Sequence, residues 1–335
     1  MNVSAVAPID AGLPNRDAIR WLIDRYYREG FQAGDMSSHW RVHSEQLLLS
    51  YDSTNGLQTL EGFGFGNARW GSAGHQMLDR ACEAAHLARL PQRRALVRLR
   101  PRLVRVCRRA GLDPTLDAFR QLCTLELLMR HESRLAAGAH PRFLVIGDGF
   151  GVLGSLVKEV WPDASIVLVD LGQTLLFQVV HCQMAHPTSI HALIDQAAGL
   201  DRVDFLYCPS DRLEAIESLD FDVAVNVASM QEMAPDTVAA YFAFLRRRLK
   251  PANLFYCCNR ERKRLPGGEE SAFMTYPWLP ADRLLVDGPC PWHQYYFTTG
   301  WARQGPRVAG VPVPLVGYYE GRHLHRLAVL ATERH

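Results

Sequence analysis

Lysine is nearly missing from this chain. Its 335 residues contain only three, Lys158, Lys250 and Lys263, so 34 of the 37 basic residues are arginines. A charge excess is missing too. The 35 acidic residues leave a net charge of +2, which excludes a polycation that holds nucleic acid by bulk charge. No apolar run approaches the ~18–20 residues that span a bilayer. The first residues, MNVSAVAPIDAGLP, have neither a basic n-region nor a long apolar h-region, so a cytoplasmic protein is expected. The cysteines at 82, 107, 123, 182, 208, 257, 258 and 290 include no C-x-x-C pair. Zinc needs clustered ligands, so no metal site is expected. Most of these cysteines sit in apolar segments and read as reduced, buried thiols.

What is present is a chain that can bury a large core. Hydrophobic residues make up 48% and charged residues 21%. A change of pattern near residue 135 divides it into an N-terminal helical cap (1–134) and an alternating strand–helix domain (135–335). In the first part, Ile19, Leu22, Ile23, Tyr26 and Tyr27 recur at helical spacing after Asn15, a cap, with Gly30 as the stop. Residues 36–52 (MSSHWRVHSEQLLLSYD) predict a second amphipathic helix capped by Ser37 or Ser38. Residues 59–74 are rich in glycine and aromatics, with Phe63, Phe65 and Trp70. They suit either a loop tucked on the core or the wall of a pocket. Residues 84–112 hold nine arginines and no acid, interleaved with Leu96, Leu99, Leu103 and Val106. A solvated helix face is the better reading than a nucleic-acid stripe. A further helix runs from Thr115 to Arg130.

The second part alternates. Short apolar strands are predicted at 141–147, 164–170, 203–209, 221–229 and 252–259, with helices at 152–161, 172–184 and 235–249. Strands that are apolar on both faces and separated by helices imply a parallel sheet covered on both sides. Residues 293–299 and 323–331 read as strands that pair with each other as an antiparallel extension.

The informative segment is FLVIGDGFGVLGSLV, where a strand runs into Gly147, Gly149 and Gly151 and a helix follows at once. Glycines let a backbone pass close to a ligand, and a helix start offers free N–H groups. Asp170 closes the next strand, where a carboxylate can hold the two hydroxyls of a ribose. Both NAD(P) and S-adenosylmethionine (SAM) use this geometry, and Gly149-Phe-Gly-Val-Leu-Gly154 matches G-x-G-x-x-G literally.

VLVDL, VNVASMQEM and FYCCNRE resemble a family of sugar O-methyltransferases of bacterial secondary metabolism, a branch of the SAM-dependent class I methyltransferases. The resemblance covers about 140–262, and the run Asn226, Ser229, Glu232, Met233 is its most specific part. It implies a class I methyltransferase-like (Rossmann-like) α/β fold. That fold has a mostly parallel sheet, antiparallel C-terminal strands and an N-terminal helical cap. It also implies SAM as cofactor, with Gly147, Asp148, Gly149 and Gly151 along its methionine and ribose. Asp170 is expected on the ribose, Leu171 over adenine, and Ser210 and Asp211 at the adenine edge. Asn226 and Ser229 are expected on the amino-acid part or the acceptor. Two positions depart from the family. The acidic residue that usually precedes the Ile-Gly pair is Val145 here, and the proline that commonly follows the Asp-Leu pair is Gly172.

An alcohol acceptor needs its proton removed. Candidates for that base are His181, Glu232 and His293, beside Asn226 and Ser229 as polar catalytic groups. The chain also resembles the azetidine-2-carboxylate synthases, in which the amino nitrogen of SAM displaces methylthioadenosine from its own γ-carbon. In that chemistry Asn226 and Ser229 would hold the nitrogen. Tyr26, Tyr27, Trp40, Phe63, Phe65 and Trp70 would form an aromatic cover for the sulfonium. The other classes of reading are an NAD(P) oxidoreductase and a binding protein without turnover. The expected partner is a small molecule, with no nucleic acid and no membrane, and a homodimer is open.

Overall fold

The computed structural model describes residues 8–29, 36–62, 68–134, 140–196, 199, 202–297, 307–308, 310–312, 316–318 and 322–331. Helix α1 (Arg16–Ile23) starts at Asn15, whose side chain accepts the Ala18 N–H at 2.9 Å, and runs into a π-helical turn at Asp24–Arg28. Helix α2 (Ser38–His43) is capped by Ser37.

The helix expected over 36–52 stops there. Leu48–Asp52 is strand β1, paired antiparallel with β2 (Gly56–Glu61). The reason is local. The Asp52 carboxylate accepts the N–H groups of Thr54 and Asn55 at 2.9 and 2.7 Å, and Gly56 adopts φ +77°. That Asx turn competes with helical hydrogen bonds and folds the chain back.

Helices α3 (Ala73–Arg89), α4 (Arg93–Arg109) and α5 (Leu116–Arg130) follow. The arginine-rich stretch behaves as a solvated face. Leu96, Leu99, Leu103 and Val106 are buried along α4, while Arg100 and Arg105 pair outward with Glu83 and Glu159. Helix α5 is buried on nearly every side because it is sandwiched, touching α3, α4 and the helix after the first long strand.

The main sheet is built from β3 (Arg142–Ile146), β4 (Ser165–Asp170), β5 (His191–Leu193), β6 (Phe205–Pro209), β7 (Phe221–Val227) and β8 (Leu249–Arg260). Helices α6 (Val152–Val160), α7 (Gly172–Ala185) and α8 (Pro235–Arg248) connect them. A small hairpin, β9 (Arg262–Arg264) with β10 (Glu270–Ala272), precedes β11 (Arg283–Pro289). Short strands β12 (Tyr295–Phe297), β13 (Arg307–Val308), β14 (Val311–Pro312) and β15 (Val316–Tyr318) lead to β16 (His323–Val329). The sheet order is β11-β16-β8-β7-β3-β4-β6-β5. Strands β3 to β8 run parallel, and β16 runs antiparallel between β8 and β11. This is the class I methyltransferase-like α/β fold.

The antiparallel extension differs from the expectation in its partner. Residues 295–297 pair with β15 in a separate two-stranded ribbon, and β16 takes β11 instead. Strand β11 lies at the sheet edge with an exposed, irregular pattern that ends in Asp-Gly-Pro, so it lacks the apolar alternation of a buried strand.

Two cores cover the two faces. Phe143, Val145, Leu168 and Val225 face α5, α6, α7 and α1, while Leu144, Ile146, Val169 and Ala224 face α8. The first core therefore runs continuously from the N-terminal helices into the sheet. Strand β3 has β4 on one side and β7 on the other, and the chain leaves β3 and β7 toward opposite faces. That switch point opens a crevice at the carboxyl ends of the strands. Among the described residues, no helix is long and apolar enough to cross a membrane.

Candidate functional site

The loop after β3 is shaped by three left-handed glycines. Gly147, Gly149 and Gly151 have φ of +74°, +61° and +75°. A Cβ on Gly147 would lie 2.2 Å from Ser229 Oγ, and one on Gly151 would lie 2.6 Å from Cys182 Sγ. The loop thus passes between the end of β7 and α7 with no room for a side chain at Gly147 or Gly151.

Asp148 points back onto the start of α6. Its carboxylate accepts the Leu153 N–H at 3.0 Å and the Gly154 N–H at 2.7 Å. Burial pushes this carboxyl up to about 7, against the pull of both N–H groups. Asp170, at the end of β4, accepts from the Leu171 N–H at 2.8 Å, Thr174 Oγ1 at 2.5 Å and Gln178 Nε2 at 2.5 Å. Burial pushes it up to about 6, offset by those donors and by the Gly149 N–H.

A cavity of about 290 Å³ opens over this loop. One half is walled by Gly147, Asp148, Gly149, Asp170, Leu171 and Ser210. The other half reaches α5 and the C-terminal strands, with Arg120, Gln121, His293 and His323 on its wall. Ser229, Glu232 and Trp40 lie on the wall as well.

The remaining expected site residues lie elsewhere. Gly151 stands one turn behind, against α7. Asp211 accepts the Tyr26 hydroxyl at 2.7 Å. The Tyr26 ring fills the space beside Gly172, where a Cβ would meet it at 2.2 Å. This accounts for the glycine at 172. Tyr27 donates to the Gln173 carbonyl at 3.0 Å. Both tyrosines therefore brace the start of α7 and do not line the cavity. Trp70 is also turned away, its Nε1 donating to Asp79 at 2.9 Å. Phe63 and Phe65 lie outside the described residues.

Two of the expected catalytic groups need correction. His181 sits on the side of α7 that faces α4, its Nδ1 2.8 Å from the Ala110 carbonyl, and burial lowers it to about 4. It is a half-buried packing histidine outside the cavity lining. Asn226 is wholly buried beneath the loop. It donates to the Ile146 carbonyl at 3.0 Å and to Ser229 Oγ at 2.5 Å, and accepts from the Met230 N–H and from Asn259 at 2.8 Å. All its hydrogen bonds are spent in tying β3, β7 and β8 together. Ser229 Oγ donates to Ile146 O at 3.1 Å, and Ala228, between them, is forced to φ +59°. Strain of this kind in a non-glycine residue is held by the surrounding network.

Glu232 reaches the cavity but is committed to an ion pair. Lys263 Nζ lies 2.7 Å away and His39 Nε2 3.4 Å away. Burial raises the carboxyl, while Lys263 and Arg260 pull it back down. The same cluster helps to dock α2, whose Ser38 hydroxyl donates to Glu269 and accepts the Gly267 N–H, both at 2.9 Å. Trp40 on α2 thereby becomes a fixed wall.

In the second half of the cavity sequence reasoning named His293 but missed Arg120 and Gln121. Arg120 is 2% exposed on a helix that also carries Asp117, Glu126 and Arg130, so its burial left no mark in the sequence. Its guanidinium donates to the Trp292 carbonyl at 3.1 Å, to Asp117 at 2.5 Å and to the Tyr295 carbonyl. It clamps both sides of His293. The His293 and His323 rings stack with centroids 5.2 Å apart. Burial holds both well below the usual imidazole range, helped by Arg120 at His293 and by Arg260 at His323. Among the described residues, no group of three or more His, Cys, Asp or Glu is placed to hold a metal ion.

No family model matches the chain, and no curated protein matches it in sequence. Solved structures resemble it in part. TrmN from Thermus thermophilus gives a TM-score of 0.38 at 12% identity, over 63% of this chain and 48% of that one. The chain thus spans about half of that protein's length. A S-adenosylmethionine-dependent methyltransferase from Clostridium acetobutylicum gives 0.38 at 12% identity, over 61% and 89%. PigF with SAH gives 0.32 at 12% identity, over 56% and 50%. At these values none of them bears on what the cavity holds.

Proposed function

We propose that the chain is a SAM-dependent enzyme that transfers a methyl group to a hydroxyl of a small, sugar-like acceptor in bacterial secondary metabolism. The observation that carries the choice of cofactor is the place of Asp148. In a dinucleotide-binding fold the pyrophosphate sits on the free N–H groups at the first helix start. Here two of those groups, Leu153 and Gly154, already hold a buried carboxylate. A pyrophosphate would have to displace that carboxylate and would meet its charge. SAM has no pyrophosphate, and its cationic sulfonium and ammonium suit a wall that carries Asp148 and Asp170.

Bound SAM supplies a methyl group on a positively charged sulfur. The chain supplies the rest. The backbone of Gly147 to Gly149 allows close approach, Asp170 is placed to take the ribose hydroxyls, and Leu171 and Ser210 flank the adenine side. Trp40 offers an aromatic wall that attracts a cation. The half of the cavity beside α5 leaves space for an acceptor, so alignment and exclusion of water are the chain's main contributions.

Self-cyclisation of SAM is the second reading of the resemblance. Its expected nitrogen holders, Asn226 and Ser229, are bonded to the Ile146 carbonyl and to each other. This favours transfer over cyclisation. Calorimetric titration with S-adenosylhomocysteine and with NAD⁺ tests the cofactor choice. S-adenosylhomocysteine should bind and NAD⁺ should not. Binding of NAD⁺ alone would replace the proposal with an oxidoreductase.

A further inference from the structure

We propose that Tyr26 is the positioning residue of the adenine side of the cavity. It holds the two loops that wall that side at a fixed separation, and so sets how strictly the base is read. This rests on the SAM reading above. The two walls come from neighbouring parallel strands. Asp170 on β4 stands opposite Pro209 on β6, so Leu171 and Ser210 leave the sheet side by side, and both line the cavity. The β4–β6 ladder ends at that pair, so beyond it the spacing of the loops depends on contacts from elsewhere.

Tyr26 supplies them from outside the cavity. Its ring lies against Gly172, the residue after Leu171, where a Cβ would meet Cδ2 at 2.2 Å. Its hydroxyl donates at 2.7 Å to Asp211, the residue after Ser210. A tyrosine side chain has only two χ angles, so one stiff group links both loops. The link is itself held in place. Trp21 packs edge-on against the ring at 5.9 Å, and the Gln173 amide donates to the Tyr26 carbonyl at 3.2 Å. The π-helical turn at Asp24–Arg28 sets Tyr26 and Tyr27, consecutive residues, both against the start of α7. Burial and the Asp211 carboxylate hold the phenol well above its usual range, so the hydroxyl keeps its proton and goes on donating. Arg212 ties the same loop to Asp195 on the β5 side at 2.9 Å, and Tyr26 ties it to the β4 side. A slot of fixed width cannot rearrange when the edge of the base is changed, so a wrong edge leaves polar groups unpaired.

The test uses the whole chain and two probes, S-adenosylhomocysteine and S-inosylhomocysteine, in which an oxygen replaces the amino group of adenine. Calorimetry on the wild type should show a preference for the first. Tyr26→Phe keeps the ring against Gly172 and removes the bond to Asp211. It should weaken S-adenosylhomocysteine by about 3–10-fold and narrow the preference by about threefold or more. A plain loss of folded protein would weaken both probes equally and leave the preference unchanged. Asp211→Ala should narrow the preference as much, and the double variant no further. Asp211→Asn, which can still accept the hydroxyl, should retain it. An Asp211→Ala effect that exceeds that of Tyr26→Phe and adds to it would mean that Asp211 meets the base itself. That result, an unchanged preference in Tyr26→Phe, or a wild type without preference overturns the proposal and leaves the cofactor reading standing. If S-adenosylhomocysteine does not bind, both fall.

Discussion

Gly147→Ala, alone and with Ser229→Gly, probes how closely the glycine loop meets the end of β7. An alanine Cβ at 147 would lie 2.2 Å from Ser229 Oγ and 2.3 Å from Ser229 Cβ. It would also hold an L residue at φ +74°, which costs ~1–2 kcal/mol. Overpacking adds ~1–3 kcal/mol, so the single variant should lose ~2–5 kcal/mol. Ser229→Gly removes a hydroxyl bonded to Ile146 O and Asn226, and should lose ~1–3 kcal/mol. In the double variant the clash is gone, and the remaining atom near the new Cβ is Ser229 Cα at 3.9 Å. The loss in the double variant should therefore fall short of the sum of the two single losses by about 1–3 kcal/mol. Urea unfolding of the wild type and the three variants measures this. Losses that add within ~0.5 kcal/mol would refute the close approach on which the loop geometry depends.

Three other predictions concern the same region. Asp148 and Asp170 are raised to about 7 and about 6, so both favour their neutral forms on folding. Their contribution to the stability of the free protein is present below the ordinary aspartate range and is lost as pH rises through 6 to 7. Cationic SAM prefers the ionised pair, so its affinity should rise over that window, by about tenfold or more between pH 5 and pH 8. A SAM affinity that is flat with pH would contradict this. Glu232→Gln leaves Lys263 buried without its counter-charge and should cost ~3–5 kcal/mol, while adding Lys263→Met should recover much of that loss. Equal stability of the single and double variants in urea would count against the ion pair. Gly172→Ala should push the Tyr26 ring away and break its bond to Asp211. A crystal structure of the variant with Tyr26 in place would show that packing to be wrong.

Much of the sheet was legible because its strands are short apolar runs, and in the N-terminal part several helix starts carry clear caps. Asn15, Ser37 and Thr115 all stand where a side chain accepts from the first turn of a helix. The glycine loop and Asp170 were legible for the same reason, since backbone demands leave a mark on residue type. Leu48 to Asp52 misled because LLLSYD carries helical spacing, and only the Asp52 turn decides against it. Strand β11 left no pattern because an edge strand with exposed side chains needs none. Side-chain direction was the harder loss. Asn226 and Ser229 stand at the carboxyl end of β7, as expected, yet the left-handed Ala228 turns them under the loop. His293 was among the candidate bases, but its link to Arg120 was hidden, because the two lie far apart in sequence and meet only through the Trp292 and Tyr295 carbonyls.

The most direct test of the central claim is to incubate the purified chain with SAM, alone and with methyl α-glucopyranoside, myo-inositol or catechol as a hydroxyl probe, and to read the products by mass spectrometry. Methyl transfer predicts unchanged SAM in the first case. With an accepted probe it predicts S-adenosylhomocysteine and a product 14 mass units heavier, the mass of one CH₂ (about 14 Da). Methylthioadenosine and azetidine-2-carboxylate from SAM alone would contradict it and establish self-cyclisation.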